Sequence, residues 1–162
     1  LESGEALQGA EEAVRLDAIA LKGFHCHIGS QIFDEEPFVH AAEVMLGFMD
    51  QVRQRTGTVA GELNLGGGFG AKYVESDRPK SRREMVRLVA GAVSKKAADL
   101  GYPCPYLVLE PGRSVVADAG ITLYTVGHGI SNTLGETAGI RKVIFIAAFM
   151  HPRSFMKIGK AC

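Results

Sequence analysis

Apolar positions along this chain alternate between two periods. Ala6, Leu7, Ala10, Ala13 and Val14 recur at helical spacing, so residues 4–16 are expected to form a helix with Ser3 as its N-cap. Residues 18–26 are mixed apolar, interrupted by Lys22, and read as a strand. Phe38, Ala41, Ala42, Met45, Leu46, Met49 and Val52 then make one face of a helix over 34–55. Asp34 can cap it, Glu35 and Glu36 suit the positive end of its dipole, and Pro37 is tolerated in the first turn. Gly57 closes it. Residues 59–65 read as a second strand and 71–80 as a polar loop. Ser81-x-x-Glu84 is a capping box for a helix over 82–100, whose buried stripe is Met85, Leu88, Val89, Ala92, Val93 and Leu100. Gly101 and Pro103 end it, and residues 106–110 form an almost wholly apolar third strand, as expected of a parallel strand covered on both faces.

This alternation predicts βα units and an α/β fold. The three strands should be adjacent and parallel, with the helices at 34–55 and 82–100 on one side of them. After Arg113 the pattern changes. Residues 114–127 show no helical period; 121–126 and 143–148 read as strands around a polar loop at 128–139; His151 to Cys162 has no clear period. Residues 1–113 are therefore expected to be the α/β part, and 114–162 the start of a β-rich domain.

Composition narrows the partners. The chain has 162 residues, 46% hydrophobic and 22% charged, with formal net charge zero. That suits one domain with a real core and gives no support to nucleic-acid binding or a polybasic membrane surface. No apolar run approaches the ~20 residues that span a bilayer, and no signal peptide is visible, so a cytoplasmic protein is expected. Cys26, Cys104 and Cys162 are few and widely spaced, which favours reduced thiols, with Cys26 a buried small apolar residue. No metal site is expected. Glycine is the outlier, at 20 of 162 residues, about 12% against a usual ~7%.

The glycines cluster where strands end. Leu63-Asn64-Leu65 runs into Gly66-Gly67-Gly68-Phe69-Gly70, whose N–H groups can line a phosphate-sized concavity or simply make a tight turn. Gly23-Phe24 leads into His25-Cys26-His27-Ile28-Gly29-Ser30-Gln31. His27 there could stack on a planar ring and Ser30 bind a phosphate oxygen, or both could be satisfied polar residues. Leu107-Val108-Leu109 leads into Glu110-Pro111-Gly112-Arg113. A carboxylate at the end of an apolar strand needs a partner. A protonated ring nitrogen would serve for Glu110, and Arg113 could hold an anion; an isolated Glu110–Arg113 ion pair is the alternative. A stacking group, a phosphate cradle and an acid for a ring nitrogen together fit pyridoxal 5'-phosphate. The Gly-x-Gly-x-x-Gly spacing of dinucleotide sites is missing.

The segments HCHIGSQIF, LNLGGGFG and EPGRS, in this order, resemble the diaminopimelate decarboxylase family, fold-type III pyridoxal-phosphate enzymes related to the ornithine and arginine decarboxylases. The likeness runs almost continuously from residue 1 to about 127, and Gln31-Ile32-Phe33 favours the diaminopimelate branch. The resemblance implies the C-terminal part of a (β/α)8 barrel leading into a β-rich domain, a homodimeric enzyme and a small amino-acid substrate. It implies that His27 stacks on the cofactor and that Ser30, Gly67, Gly68 and Gly112 hold its phosphate, with Gly66 in the same cradle. Glu110 would bind the ring nitrogen, and Arg113 would lie near the phosphate and the substrate carboxylate. The implied reaction is meso-2,6-diaminopimelate to L-lysine and carbon dioxide; the alternatives are an ornithine/arginine-type decarboxylase of the polyamine pathway, or a non-catalytic remnant that keeps only the phosphate cradle. The family's cofactor-bonding lysine falls upstream of Leu1, so the chain reads as a piece of such an enzyme, expected to be inactive alone. From about residue 147 the tail departs from the family: Ala147-Ala148-Phe149-Met150 stands where it has Asp-Gly-Gly-Met.

Overall fold

The computed structural model describes residues 1–117 and 119, and the backbone of 156–160. In chain order the elements are α1 (Glu5–Arg15), β1 (Gly23–His25), α2 (Glu36–Thr56), β2 (Glu62–Asn64), α3 (Arg82–Asp99), β3 (Tyr106–Leu109), α4 (Arg113–Val116) and β4 (Met156–Lys160). β1, β2 and β3 are adjacent and parallel, with Phe24 opposite Leu63 and Leu63 opposite Leu107. The strands are shorter than the apolar runs that announce them. Residues 16–20 are exposed, while single ladder bonds continue past the other end: Cys26 N–H to Asn64 O at 2.9 Å and Leu65 N–H to Val108 O at 3.1 Å.

One core joins the helices to the sheet. Phe38, Leu46 and Met49 of α2, with Val89 and Val93 of α3, pack against Leu63, Leu65, Leu107 and Leu109, all fully buried. Burial of each such side chain stabilises the fold by about 1.5–3 kcal/mol relative to exposure. Phe38 and Phe69 meet edge to face, with ring centroids 4.8 Å apart. Because side chains alternate along a strand, Asn64, between Leu63 and Leu65, points to the other face.

Caps and ends hold several differences from expectation. α2 is N-capped by Glu35, without a side-chain cap bond, not by Asp34. Glu35 instead pairs with Lys80, which holds its carboxyl below the usual range and the lysine above it. Gly4 is the N-cap of α1, although Ser3 Oγ still accepts the Glu5 N–H at 3.4 Å. Ser81 caps α3 as read, accepting the Glu84 N–H at 3.2 Å. The C-terminal ends of α2 and α3 are locked by Arg53, which pairs with the buried Asp50, donates to Gly101 O at 2.7 Å and lies 5.0 Å from the Tyr102 ring centre.

Three expectations are corrected. α4 is a single helical turn within a stretch read as non-helical; four residues are too few to show a period. β4 lies in the tail read as patternless and pairs antiparallel with β3, Met156 opposite Leu109 and Lys160 opposite Tyr106. Its partner is distant in sequence, so no local period marks it. Cys104 is disulfide-bonded rather than reduced, while Cys26 is free. The strands expected at 121–126 and 143–148 lie outside the described residues.

Tyr102 joins the α3–β3 connection to the entry of β2, its buried hydroxyl donating to Ala60 O at 2.9 Å. Tyr102→Phe should lower unfolding free energy by about 1 kcal/mol, read from the urea midpoint. Burial raises the Tyr102 phenol, so the folded state favours its neutral form. That contribution is full below the unfolded tyrosine value, about 10, and is lost as pH rises through the folded one. The variant should lack this part of the alkaline decline.

Candidate functional site

The site forms where the three parallel strands end. Across the sheet, His25 sits opposite Asn64 and Asn64 opposite Val108; two residues further on come His27, Gly66 and Glu110. Parallel strands bring their carboxyl ends to one edge, so residues far apart in sequence meet there.

Glu110 is held by backbone and side chain. Its N–H donates to Gly66 O at 2.7 Å, and its Oε1 accepts from Asn64 Nδ2 at 2.8 Å. His25 Nε2 lies 3.7 Å from the same oxygen. Oε2 makes no bond among the described residues, and the side chain is 23% exposed, so a ligand can reach it. The isolated Glu110–Arg113 pair does not form: the basic neighbour of Glu110 is His25. Arg113, exposed at the start of α4, has no ion pair among the described residues.

The glycine turn is packed backbone against backbone. A Cβ on Gly67 would stand 2.0 Å from Glu110 O, and one on Gly68 2.1 Å from Gly29 O. Gly66 and Gly68 also take φ of 68° and 100°, where L side chains are strained. The amides differ in what they can offer. Gly66 N–H donates to Asn64 Oδ1 at 2.8 Å. Gly67 N–H donates to His27 Nδ1 at 3.3 Å, which makes Nδ1 the acceptor and leaves the proton of the neutral ring on Nε2. Gly68 N–H has no acceptor among the described residues. Gly112, the buried N-cap of α4, has an unusual backbone at φ 20°, ψ −95°.

Gln31 fastens the first strand end to the second. Its Nε2 donates to Ala71 O at 2.6 Å and its Oε1 accepts the Ala71 N–H at 3.1 Å. Ile32 N–H to Gly68 O at 2.9 Å and Gly70 N–H to Ile32 O at 2.8 Å complete the seam. Gln31 adopts φ 60°, a positive value costly for a side-chain-bearing residue, and the four bonds hold it there. The exposed Ser30 is thereby kept beside Gly68. Cys26, between the histidines, is half-buried and its thiol is pushed up by burial, which makes it an inert neighbour.

Sequence reasoning did not single out His25 and Asn64 as site residues. His25 shares a face with His27 by simple alternation, and Asn64 stands two before Gly66, so both were visible in principle. Their contact with Glu110 needs the cross-strand register. Among the described residues no cluster could hold a metal ion, and no helix is long and apolar enough to cross a membrane.

Parallel βα units whose strand ends bring together a glycine turn, an open carboxylate and an exposed histidine make this a sector of a β/α barrel. The chain belongs to the pyridoxal-dependent decarboxylases: residues 1–117 match the pyridoxal-binding domain of that family. It is 41% identical over 151 residues to the diaminopimelate decarboxylase of Bacillus subtilis, covering 93% of this chain and 33% of the relative. Over 127 residues it is 39% identical to that of Corynebacterium efficiens, covering 78% and 28%. The structure of the M. jannaschii diaminopimelate decarboxylase in co-complex with L-lysine superposes with a TM-score of 0.69 at 31% identity, covering 83% of this chain and 30% of that one. The lysine/ornithine decarboxylase of Vibrio vulnificus complexed with putrescine gives 0.61 at 26% identity, covering 79% and 33%. The chain spans about a third of the length of the curated relatives it matches.

Gly68→Ala should be severely destabilising, by roughly 2 kcal/mol or more, because both the backbone angle and the Gly29 carbonyl oppose a methyl group. Gln31→Ala should cost about 1–3 kcal/mol by leaving both Ala71 backbone groups unpaired. Thermal unfolding of the two variants beside the parent chain checks both.

Proposed function

We propose that this chain is the cofactor-holding sector of a pyridoxal-phosphate-dependent decarboxylase that converts meso-2,6-diaminopimelate to L-lysine and carbon dioxide. The observation that carries the reading is Glu110, a carboxylate closing an apolar strand with one oxygen tied to Asn64 and the other open. The relatives of highest sequence identity described above are diaminopimelate decarboxylases, at 41% and 39%, which supports this substrate.

The donor set fits pyridoxal 5'-phosphate. When bound, the cofactor supplies an electron sink for the pair left behind as carbon dioxide departs. Glu110 holds a proton at the ring nitrogen and so keeps that sink effective. His27, exposed beside the glycine turn, offers a flat face for stacking. The Ser30 hydroxyl and the N–H groups of Gly68 and Gly112 hold the phosphate. Gly67, whose N–H makes only a 3.3 Å bond to His27, joins them when a stronger acceptor arrives. Arg113 places its charge by the phosphate and the substrate carboxylate. In this reading the barrel part ends near residue 113, a β-rich domain starts at 114, and the longer protein acts as a homodimer.

Among the described side chains none of the lysines contacts Glu110 or His27, and Lys22 precedes β1 at the far end of that strand. The 162-residue chain alone should therefore release no carbon dioxide above free cofactor, measured with labelled diaminopimelate. In the full-length protein, Glu110→Ala should lower turnover far more than cofactor affinity. Arg113→Ala should weaken cofactor or substrate binding roughly ten- to a hundredfold, the loss of a charge-assisted bond of about 1.5–3 kcal/mol. Full turnover in Glu110→Ala would refute the ring-nitrogen role.

A further inference from the structure

We propose that Asn64 is a positioning residue for Glu110, and that its side-chain amide sets the acid and the glycine turn with one group. This rests on the reading of Glu110 as the acid at the cofactor ring nitrogen. Asn64 touches all three strand ends. Its backbone carbonyl accepts the Cys26 N–H at 2.9 Å, its Oδ1 accepts the Gly66 N–H at 2.8 Å, and its Nδ2 donates to Glu110 Oε1 at 2.8 Å. Only this orientation of the amide satisfies both side-chain partners, since an N–H must face the carboxylate and an oxygen must face the Gly66 N–H. The amide is therefore locked by its neighbours.

The lock has a chemical result. Asn64 takes Oε1, so Oε2 is the oxygen presented to a ligand. The Glu110 backbone is fixed by its own N–H bond to Gly66 O at 2.7 Å. Gly66 thus links to Asn64 through its N–H and to Glu110 through its carbonyl, and the three close a ring of hydrogen bonds. The other charged or titratable groups at these strand ends, among the described residues, are His25, at 3.7 Å from Oε1, His27, bonded to Gly67, the half-buried thiol of Cys26, and Arg113, exposed.

Asparagine is the residue type this ring needs. Aspartate would keep an oxygen for the Gly66 N–H but set a second carboxylate against Glu110, and like charges there disfavour the state in which both are ionised. Leucine would remove both bonds. The two substitutions separate a structural role from a positioning one. If Asn64 only shapes the turn, Asn64→Asp should behave as the parent. If it positions Glu110, Asn64→Asp should fail where the turn is intact.

The test uses the full-length protein reconstituted with pyridoxal 5'-phosphate. Asn64→Asp should lower kcat at least about tenfold with KM changed less than about threefold, the pattern of an interaction that matters mainly in the transition state. It should also shift the absorbance band of the bound cofactor, with the melting temperature little changed. Asn64→Leu should lose both turnover and stability. A parent-like kcat and spectrum in Asn64→Asp would overturn the proposal. Should the Asp variant not fold, a second measurement decides: in the cofactor-free protein, Glu110→Gln should move the side-chain amide resonances of Asn64, and unmoved resonances would overturn it. Coupling between these two residues in a protein whose Glu110→Ala variant turns over normally would leave the positioning role standing and reject the ring-nitrogen reading alone.

Discussion

Everything at this site depends on how closely three strand ends approach one another. The carbonyl oxygens of Gly29 and Glu110 lie 2.1 Å and 2.0 Å from where Cβ atoms of Gly68 and Gly67 would be. Any side chain there would push the turns apart by more than a hydrogen bond can stretch. Because the approach is that close, single hydrogen bonds can pass from one strand end to the next, from Ile32 to Gly68 and from Glu110 to Gly66. The glycines permit this contact, and the polar side chains are oriented by it.

The division of labour between the two faces of the sheet follows from the same geometry. Leucines at 63, 65, 107 and 109 all point toward the helices and anchor the strands in the core. The residues between them, and those just past the strand ends, are free to be polar. His25, Asn64 and Glu110 therefore stand on a platform whose position is set by burial on its reverse side. That arrangement suits a group that must be held in place: the backbone under Asn64 cannot move without disturbing fully buried leucines.

Much of this was legible in the sequence, for identifiable reasons. The helices were visible because they are long and one-sided, as with Phe38 through Val52 in α2. The parallel order followed from strand–helix alternation, and the strand-end glycines and Glu110 were visible because glycine and acid break an apolar run. What escaped was whatever depends on a partner distant in sequence. The tie from Asn64 to Glu110 requires knowing the register of β2 against β3. The engagement of the Gly66 N–H by Asn64 is a side-chain choice that composition cannot announce. α4 is too short to have a period, and the disulfide at Cys104 follows no spacing rule. The capping of α2 failed for a similar reason, since Glu35 is drawn to Lys80 on the far side of the loop.

The antiparallel pairing of β4 with β3 has a topological consequence. A strand has two hydrogen-bonding edges, and β3 uses one for β2 and the other for β4. A β/α barrel closes only if each strand gives both edges to parallel neighbours. While β4 holds its place, β3 has no edge left for a parallel neighbour, and the ring cannot close through it. Barrel closure and β4 docking are thus mutually exclusive states of one strand edge, and any longer assembly built on this sector must exchange one for the other.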